Sequence, residues 1–360
     1  MSPFFLRITV KFLKILIIIL LFHIALLLIL MHFRTPDKQE DASVPAEKSG
    51  PILVPEDDDS APGEAGKKDL SASVRNGNKK SAVKIRRKKL DYSKAVSGKI
   101  KGLRELDAVK AGILVDASSG KVLWEKNSKK IIRIASMTKM MTIYLIYEAL
   151  SSGKLSLNES VKVTKEATKV KGGGIWLDVR ESFKLSDLMK AAFIKSANDA
   201  AFLLAQTAGD GSVEKFIDMM NKKARQFGLE HTEYFNPHGL PDKKHGKDNV
   251  STCEELVYIA EELIGRYPQV LKLSSTKIAY IPRKVGKVKK TMLTNTNKLV
   301  RIGFKGVDGL KTGYTKKAGF CITLTCMRDG RRLIAVLTGC PSSKSRDAAG
   351  KKLLDWGFKH

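Results

Sequence analysis

The sequence predicts an α/β (α+β) domain in which helices cover an antiparallel sheet, joined to an N-terminal transmembrane helix. Three observations lead to this fold class. Residues 15–33 form an uncharged apolar run, segments of strand length stand at both ends of the chain beyond residue 102, and segments with helical spacing lie between them. Strands at both ends with helices between favour a sheet layered against helices.

The apolar run at residues 15–33 would span about 28 Å as a helix, close to the hydrocarbon thickness of a bilayer. Arg7, Lys11 and Lys14 precede it. Basic residues on this side predict a cytoplasmic segment at 1–14 and a single-pass signal anchor at 15–33. A cleaved signal peptide is the alternative, although the bulky residues after the run suit signal peptidase poorly. Both interpretations place the rest of the chain on the extracytoplasmic or periplasmic side of the cell (inner) membrane.

Residues 34–102 have the composition of a disordered linker. They contain five prolines, an acidic run at 56–59, a basic run at 84–89 and little hydrophobic periodicity. A short helix lying on anionic lipid is the alternative for the basic run. The folded catalytic domain is therefore predicted to span residues 103–360.

The chain is strongly basic, with 65 Lys and Arg against 37 Asp and Glu and a net charge of +28. Such a balance suggests polyanionic partners or simply a solvated surface. Export and the lack of a nucleic-acid-binding motif argue against nucleic acid. The four cysteines show no metal-ligand spacing with each other or with histidine, so no metal site is predicted.

Within the domain, the elements follow one another in a regular order. Strands are expected at 111–115 and 121–125, around a turn segment, and at 320–327 and 332–337, joined by an Asp-Gly turn. Helices are expected at 140–150, at 188–208 with an interruption at 195–198, at 213–227, at 254–264 and at 351–356.

The first motif, Ser136-x-x-Lys139, stands at the start of the expected helix at 140–150. Positions three apart share a helix face, so the Lys139 amine can approach the Ser136 hydroxyl. A serine needs an adjacent base to act as a nucleophile, and a lysine becomes that base when burial or a neighbouring cation lowers its pKa. Alone, the motif is also what a capping serine and a surface lysine would give.

Two further motifs carry polar groups that suit a substrate peptide. Ser196 and Asn198 lie where the helical pattern of 188–208 is interrupted, and there a hydroxyl can shuttle a proton and an amide can bind a substrate amide. Lys311, Thr312 and Gly313 offer a cation, a hydroxyl and a strand without a side chain for a ligand to lie against. Singly, each also reads as an ordinary turn or cap.

The order Ser-x-x-Lys, Ser-x-Asn, Lys-Thr-Gly is far more specific than its parts, and it resembles the motif set of β-lactamases and penicillin-binding proteins. Residues 135–142, 196–201, 235–240, 306–315 and 318–321 extend the similarity. On these segments, about residues 105–358 are identified as resembling the D-alanyl-D-alanine carboxypeptidases. These are low-molecular-mass penicillin-binding proteins of the serine peptidase S11 class.

This resemblance implies a β-lactamase/transpeptidase-like fold with a five-stranded antiparallel sheet and a helical subdomain. It implies that Ser136 is the acylated nucleophile, Lys139 its general base and Ser196 a third catalytic group. Asn198, Lys311, Thr312 and Gly313 would bind substrate, and the backbone N–H groups of Ser136 and Tyr314 would form the oxyanion hole. The substrate would be the peptidoglycan stem pentapeptide, which loses its terminal D-alanine. β-Lactam antibiotics would bind, and no metal or organic cofactor would be needed.

One departure and several alternatives accompany this interpretation. Residues 179–181 stand where many members have a glycine, so the shape of the cleft rim is expected to differ. A D,D-endopeptidase uses the same three motifs, and a wall-binding module with a vestigial site is the non-enzymatic alternative. A class A β-lactamase is disfavoured because Ala197 occupies the middle of the second motif and no Glu-x-x-Leu-Asn follows.

The histidines and cysteines complete the candidate residues. A Ser-His-Asp hydrolase is disfavoured because no histidine of the domain accompanies a nucleophile-elbow glycine pattern; they are His231, His238, His245 and His360. His238 is expected to be structural, in the turn at 236–239. Cys321 and Cys340 are expected to lie near each other, either as a disulfide or as buried free thiols.

Overall fold

A computed structural model describes residues 89–242 and 246–360. The predicted cytoplasmic segment at 1–14, the anchor at 15–33 and residues 34–88 of the linker lie outside the described residues. Within the two described ranges, no helix is long and apolar enough to span a bilayer.

The main sheet has six strands in the order β1-β3-β2-β12-β11-β10. Its strands are β1 (Val96–Ser97), β2 (Ala111–Asp116), β3 (Val122–Lys126), β10 (Val307–Thr315), β11 (Gly319–Arg328) and β12 (Arg331–Cys340). Five of them pair antiparallel, whereas β1 runs parallel to β3. The strand that carries the Lys-Thr-Gly motif, β10, therefore forms one edge of the sheet, and β1 forms the other.

The sheet corrects two expectations at its β1 edge. The implied five-stranded sheet has a sixth, two-residue strand, in which Val96 pairs with Trp124 and Ser97 with Glu125. The prediction of a disordered linker as far as residue 102 is wrong for residues 89–102, because this segment pairs with the sheet. The indole of Trp124 also donates a 2.7 Å hydrogen bond to the carbonyl of Gly98. The polar composition of the segment hides this edge strand from a hydrophobicity argument.

Alternating side chains of the sheet feed two separate cores, as the two-residue period of a strand requires. On β12, Leu333, Ala335 and Leu337 face a smaller core that the C-terminal helix covers. Ile334 and Val336 face a larger core shared with the helical part of the domain. The sheet is thus buried on both faces, and only its edges are open to form a site.

The helices are α1 (Lys139–Ser151), α2 (Lys165–Thr168), α3 (Leu185–Phe193), α4 (Asn198–Ala208), α5 (Val213–Gln226), α6 (Cys253–Arg266), α7 (Val270–Ser275), α8 (Lys298–Arg301) and α9 (Ser343–Gly357). Two 3₁₀ helices span Arg104–Ala108 and Ala135–Thr138. Three small two-stranded sheets pair β4 (Ile132–Arg133) with β7 (Val250–Ser251), β5 (Ser160–Lys162) with β6 (Ser182–Lys184) and β8 (Ile278–Pro282) with β9 (Lys290–Thr294).

Helix α1 lies in the middle of the domain, and ten of its thirteen residues are buried. A helix that is apolar on every side must be surrounded by protein, and α1 contacts α3, α4, α5 and α6. This burial fixes the position of Lys139, the first residue of α1. The lysine of the first motif is therefore held by the core rather than by a surface loop.

The C-terminal helix is longer than expected. The sequence predicts it at 351–356, but it begins at Ser343 behind a capping box formed by Ser342 and Ser345. The polar residues that open this helix hide its start from a hydrophobic pattern, whereas the reciprocal serine hydrogen bonds satisfy the free backbone groups there. The early start places Arg346 beside the cleft that the three motifs line.

All four cysteines are free and buried. Cys321 and Cys340 do not face each other, because the partner of Cys340 across the two strands is Phe320. Cys321 belongs to the larger core, whereas Cys340 belongs to the smaller one on the other face of the sheet. The alternative of buried free thiols is therefore correct and the disulfide is wrong. Burial raises the pKa of Cys321 to about 11.

Candidate active site

Ser136 lies at the second position of the 3₁₀ helix that leads into α1. Ala135, just before it, has a left-handed backbone with φ of +46°, a conformation that costs a non-glycine residue energy and is uncommon outside functional sites. The neighbouring turn packs so closely that a Cβ on Gly239 would lie 1.9 Å from the carbonyl oxygen of Ala135. The backbone around Ser136 is thus fixed from both sides.

The amine of Lys139 is buried among three oxygen atoms. Its Nζ lies 3.0 Å from Oγ of Ser136, 2.7 Å from Oδ1 of Asn198 and 2.8 Å from the carbonyl oxygen of His238. Burial lowers the pKa of Lys139 well below its ordinary value, and the charge of Lys311 lowers it further.

The Lys139 amine donates to all three oxygens, and its lowered pKa favours the loss of one of these protons. A neutral lysine has two N–H donors and one lone pair. Two of its neighbours are carbonyl-type oxygens that can only accept, so the two N–H groups point at Asn198 and His238. In the neutral form the lone pair would be left for the hydroxyl proton of Ser136, whose Oγ otherwise donates to the carbonyl oxygen of His238 at 3.2 Å. The arrangement is that of a general base beside a serine nucleophile.

The second motif forms the opposite wall at the point where α3 ends and α4 begins. Ser196 has a left-handed backbone with φ of +63°, and Asn198 is the first residue of α4. The Asn198 amide nitrogen donates to the carbonyl of Lys171 at 3.3 Å. This contact orients the amide so that its oxygen faces Lys139.

The third motif joins the second across the cleft. Lys311 is buried, and its Nζ donates to Oγ of Ser196 at 2.8 Å and to the carbonyl of Thr312 at 2.9 Å. Burial lowers the pKa of Lys311 to about 7, and the charge of Arg346 acts in the same direction. The hydroxyl of Thr312 lies 2.6 Å from that of Thr296.

Gly313 is needed where β10 passes the 3₁₀ helix. A Cβ at Gly313 would lie 3.0 Å from the carbonyl oxygen of Ile134 and 3.1 Å from the backbone nitrogen of Ser136. Gly313 also lines the cleft, so this close packing against the backbone of Ser136 accompanies the substrate-binding role predicted for it. The next residue, Tyr314, is half exposed and stacks on Phe320 with ring centroids 4.1 Å apart.

These residues line a cleft of about 600 Å³ between the β10 edge and the helical wall. Its lining includes the following residues: Ser136, Gly172, Gly173, Lys195, Ser196, Asn198, Leu240, Thr296, Thr312, Gly313, Tyr314 and Arg346. All the predicted site residues thus lie in or directly behind one cleft, with the amines of Lys139 and Lys311 buried at its base. Among the described residues, no group of three or more acidic, histidine or cysteine side chains is placed to hold a metal ion.

Sequence reasoning missed three contributors. The carbonyl of His238 accepts from Lys139, although the ring itself serves the turn by accepting from the backbone nitrogen of Leu240. Thr296 and Arg346 also line the cleft. A backbone carbonyl has no side-chain signature, and the other two belong to segments without a motif. Only the segment at 235–240, which is part of the family resemblance, offered a signal.

The comparisons with known proteins agree with this geometry. Residues 99–342 match the model of the peptidase S11 family, D-alanyl-D-alanine carboxypeptidase. D-alanyl-D-alanine carboxypeptidase DacF of Bacillus subtilis is 37% identical over 249 residues, which cover 69% of this chain and 62% of that protein. The D-alanyl-D-alanine endopeptidase of Pseudomonas aeruginosa is 29% identical over 221 residues, covering 59% of this chain and 66% of that protein.

Among solved structures, penicillin-binding protein D2 of Listeria monocytogenes in its ampicillin-bound form resembles the chain with a TM-score of 0.63 and 30% identity. The match covers 70% of this chain and 97% of that one. The chain therefore matches nearly all of the Listeria protein's solved chain but spans only about three fifths of the length of the Bacillus relative.

Proposed function

Because the chain belongs to the D-alanyl-D-alanine carboxypeptidase family, we propose that it is a serine hydrolase that removes the terminal D-alanine from peptidoglycan stem pentapeptides. The contact between Nζ of Lys139 and Oγ of Ser136 carries the proposal. It unites a buried amine of lowered pKa with the hydroxyl that the reaction must activate.

Acylation begins when Ser136 loses its proton to Lys139 and its Oγ attacks the carbonyl carbon between the two D-alanines. The carbonyl oxygen becomes an oxyanion, which the backbone N–H groups of Ser136 and Tyr314 stabilise. The C–N bond then breaks, and the leaving D-alanine takes up a proton that reaches it from Lys139 through the hydroxyl of Ser196. Neutral Lys139 is restored, and the peptide remains as an ester of Ser136.

Hydrolysis reverses these roles with water in place of D-alanine. Lys139 takes a proton from water, and the resulting hydroxide attacks the ester carbonyl. The C–Oγ bond breaks, and Oγ of Ser136 takes the proton from Lys139, which becomes neutral again. The peptide leaves with a new C-terminal carboxylate one residue shorter than the substrate.

Substrate binding uses the polar groups on either side of Ser136. The ammonium of Lys311 and the hydroxyl of Thr312 hold the terminal carboxylate of the pentapeptide. The Asn198 side chain binds an amide of the peptide on the acyl side of the scissile bond. A carboxylate beside Lys311 would favour its charged form and offset part of the lowering of its pKa by burial.

The test is mass spectrometry of stem pentapeptide and of a cross-linked peptide dimer after incubation with the full-length protein in detergent. Loss of one D-alanine from the pentapeptide supports the carboxypeptidase. Cleavage of the dimer with an intact pentapeptide supports the D,D-endopeptidase, which the Pseudomonas relative favours. With no product from either peptide, the enzymatic proposal fails and a penicillin-binding wall module remains.

The same chemistry predicts reaction with β-lactams, whose strained amide would acylate Ser136. The Listeria relative is solved in an ampicillin-bound form, and that supports this part of the proposal. A fluorescent penicillin should label the protein covalently, and prior incubation with unlabelled ampicillin should prevent it.

Residues 15–33 are proposed to anchor the enzyme in the cell membrane, with its domain on the extracytoplasmic side. Cell fractionation tests the anchor: the full chain should stay with membranes after a high-salt wash, and a variant with three charged residues in the run should not. Protease added to spheroplasts should digest the domain if the orientation is correct.

A further inference from the structure

Trp176 is the most exposed large apolar residue of the described chain, with 76% of its surface open to solvent. Its neighbours Ile175 and Leu177 are buried, so the segment is firmly seated and only the indole projects outward. Isolated exposed apolar residues are normal on protein surfaces. Trp176 differs from such residues in its backbone conformation and in the charged side chains that hold its peptide groups.

The backbone of Trp176 is left-handed, with φ of +53°, which a bulky residue adopts only where its surroundings impose it. The carboxylate of Asp199 accepts from the backbone nitrogens of Ile175 at 3.0 Å and Leu177 at 3.4 Å. Arg283 donates to the carbonyls of Ile175 at 2.6 Å and Trp176 at 2.9 Å. Both peptide groups around the indole are therefore held by charged side chains.

Arg283 is itself fixed by Glu181. The guanidinium makes a two-pronged contact with this carboxylate, at 2.9 and 2.6 Å, and Glu181 is 1% exposed. Such paired contacts set orientation as well as strength. Glu181 belongs to the segment at 179–181 where the sequence departs from many family members. The departure thus lies in the network that holds Trp176.

The indole stands beside the catalytic cleft. Nζ of Lys195, which lines the cleft next to Ser196, lies 5.7 Å from the centroid of the Trp176 ring. The chain leading to Trp176 packs on Asn198, whose backbone nitrogen donates to the carbonyl of Gly173 at 2.8 Å. Trp176 does not itself line the cleft, but it adjoins the Asn198 end through Gly173 and Lys195, which do.

We propose that Trp176 and Lys195 form a subsite for the part of the stem peptide that precedes the two D-alanines. The inference rests on the proposed function, in which Asn198 binds the acyl side of the substrate. The indole offers a rigid apolar surface, and the ammonium next to it offers a partner for a carboxylate. The matching ligand is a stem-peptide residue with an aliphatic side chain and a free carboxylate.

A rigid, exposed tryptophan is well suited to this purpose because it loses little conformational entropy on binding, and tryptophans are frequent among residues that dominate binding energy. Small ligands that fill only the region around Ser136 would not reach it. The subsite therefore distinguishes a full stem peptide from a short peptide or a penicillin.

The experiment compares two reactions of the full-length protein in detergent: cleavage of a stem pentapeptide and acylation by benzylpenicillin. In Trp176→Ala we expect kcat/KM for the pentapeptide to fall about tenfold or more, as for a binding hot spot. Acylation by benzylpenicillin should stay within about twofold, which also shows that the variant is folded. Trp176→Tyr should recover most of the pentapeptide rate.

Lys195→Gln tests the cation separately: it should weaken the pentapeptide with a free carboxylate more than the same peptide with that group amidated. Ile302→Ala is the matched control, since Ile302 is 57% exposed and does not line the cleft. Equal losses for the pentapeptide and benzylpenicillin in Trp176→Ala would make the role structural and overturn the subsite, as would an unchanged pentapeptide rate.

Failure of the proposed function remains distinguishable. If the wild-type protein is acylated by benzylpenicillin but does not cleave the stem pentapeptide, the carboxypeptidase proposal fails. The subsite is then judged by competition, in which the pentapeptide slows benzylpenicillin acylation of the wild type. The subsite is supported if Trp176→Ala needs about tenfold more pentapeptide for the same slowing, and overturned if it does not.

Discussion

Nζ of Lys311 lies 2.8 Å from Oγ of Ser196, so the strand edge and the helical wall meet in a hydrogen bond at the base of the cleft. The bond joins residues that are 115 positions apart in the chain. Lys139 is bonded to Asn198 on the same wall, so the first and the third motif are each hydrogen-bonded to the second. Replacing one of these residues should therefore also change the position of its hydrogen-bonded partner.

Ser136→Ala should abolish covalent labelling by fluorescent penicillin and release of D-alanine. The change removes the oxygen that forms the ester and leaves the surrounding fold intact. Gel fluorescence measures the labelling, and thermal unfolding shows whether the variant is folded. Persistent labelling of a folded variant would place the nucleophile elsewhere.

Lys139→Met should slow acylation by about 10² to 10⁴, the range that a positioned general base contributes. Methionine keeps much of the buried volume but has no amine, so the loss reports proton transfer rather than packing. Stopped-flow measurement of the penicillin acylation rate gives the value. A rate within a fewfold of the wild type would remove Lys139 from the role of base.

The free energy of unfolding should rise between about pH 7 and pH 10, and Lys311 should account for part of the rise. Burial lowers the pKa of Lys311 to about 7 in the folded protein, whereas the unfolded chain has the ordinary value near 10.4. Between these values the unfolded state binds one more proton, so stability increases with pH. Below about pH 7 both states hold the proton and this increase ends.

Urea titrations of the wild type and Lys311→Met at several pH values measure this effect. The variant should show a smaller rise over the same window, because its side chain does not titrate. Since other lysines also lose charge near pH 10, only the difference between the two proteins is decisive. Identical pH curves would show that Lys311 keeps an ordinary pKa.

Gly239→Ala should strongly destabilise the protein or distort its site, because the new Cβ would lie 1.9 Å from the carbonyl oxygen of Ala135. Gly228→Ala is the matched control: its φ is +67° against +87° for Gly239, and nothing lies within 4 Å of its Cβ position. The control should lose only about 1 to 2 kcal/mol, the cost of a left-handed backbone with a side chain. Chemical unfolding and penicillin acylation measured on both variants separate strain from collision.

Much of the fold and site was predictable because the chemistry resides in side chains with fixed spacing. Ser136 and Lys139 are three residues apart in one helical segment, and the apolar character of α1 predicts the burial of Lys139. The long strands β11 and β12 also follow from alternation and an Asp-Gly turn. These features are local, so a single sequence carries them.

The rest depends on contacts between distant segments. His238 acts through its backbone carbonyl, and β1 is a two-residue strand in a polar segment. Helix α9 starts through a serine pair that a hydrophobic pattern ignores. The outward position of Trp176 follows from a left-handed backbone that Asp199 and Arg283 impose, and neither residue is near it in the sequence.

The order of the main sheet has a mechanical consequence. Strand β1, through which the chain enters the domain, and β10, which borders the reacting groups, are opposite edges separated by five interstrand steps, or about 24 Å. A pulling force applied to the N-terminal end of the domain would therefore separate β1 from β3 first. The geometry around the attacking oxygen would be the last part of the sheet to be disturbed.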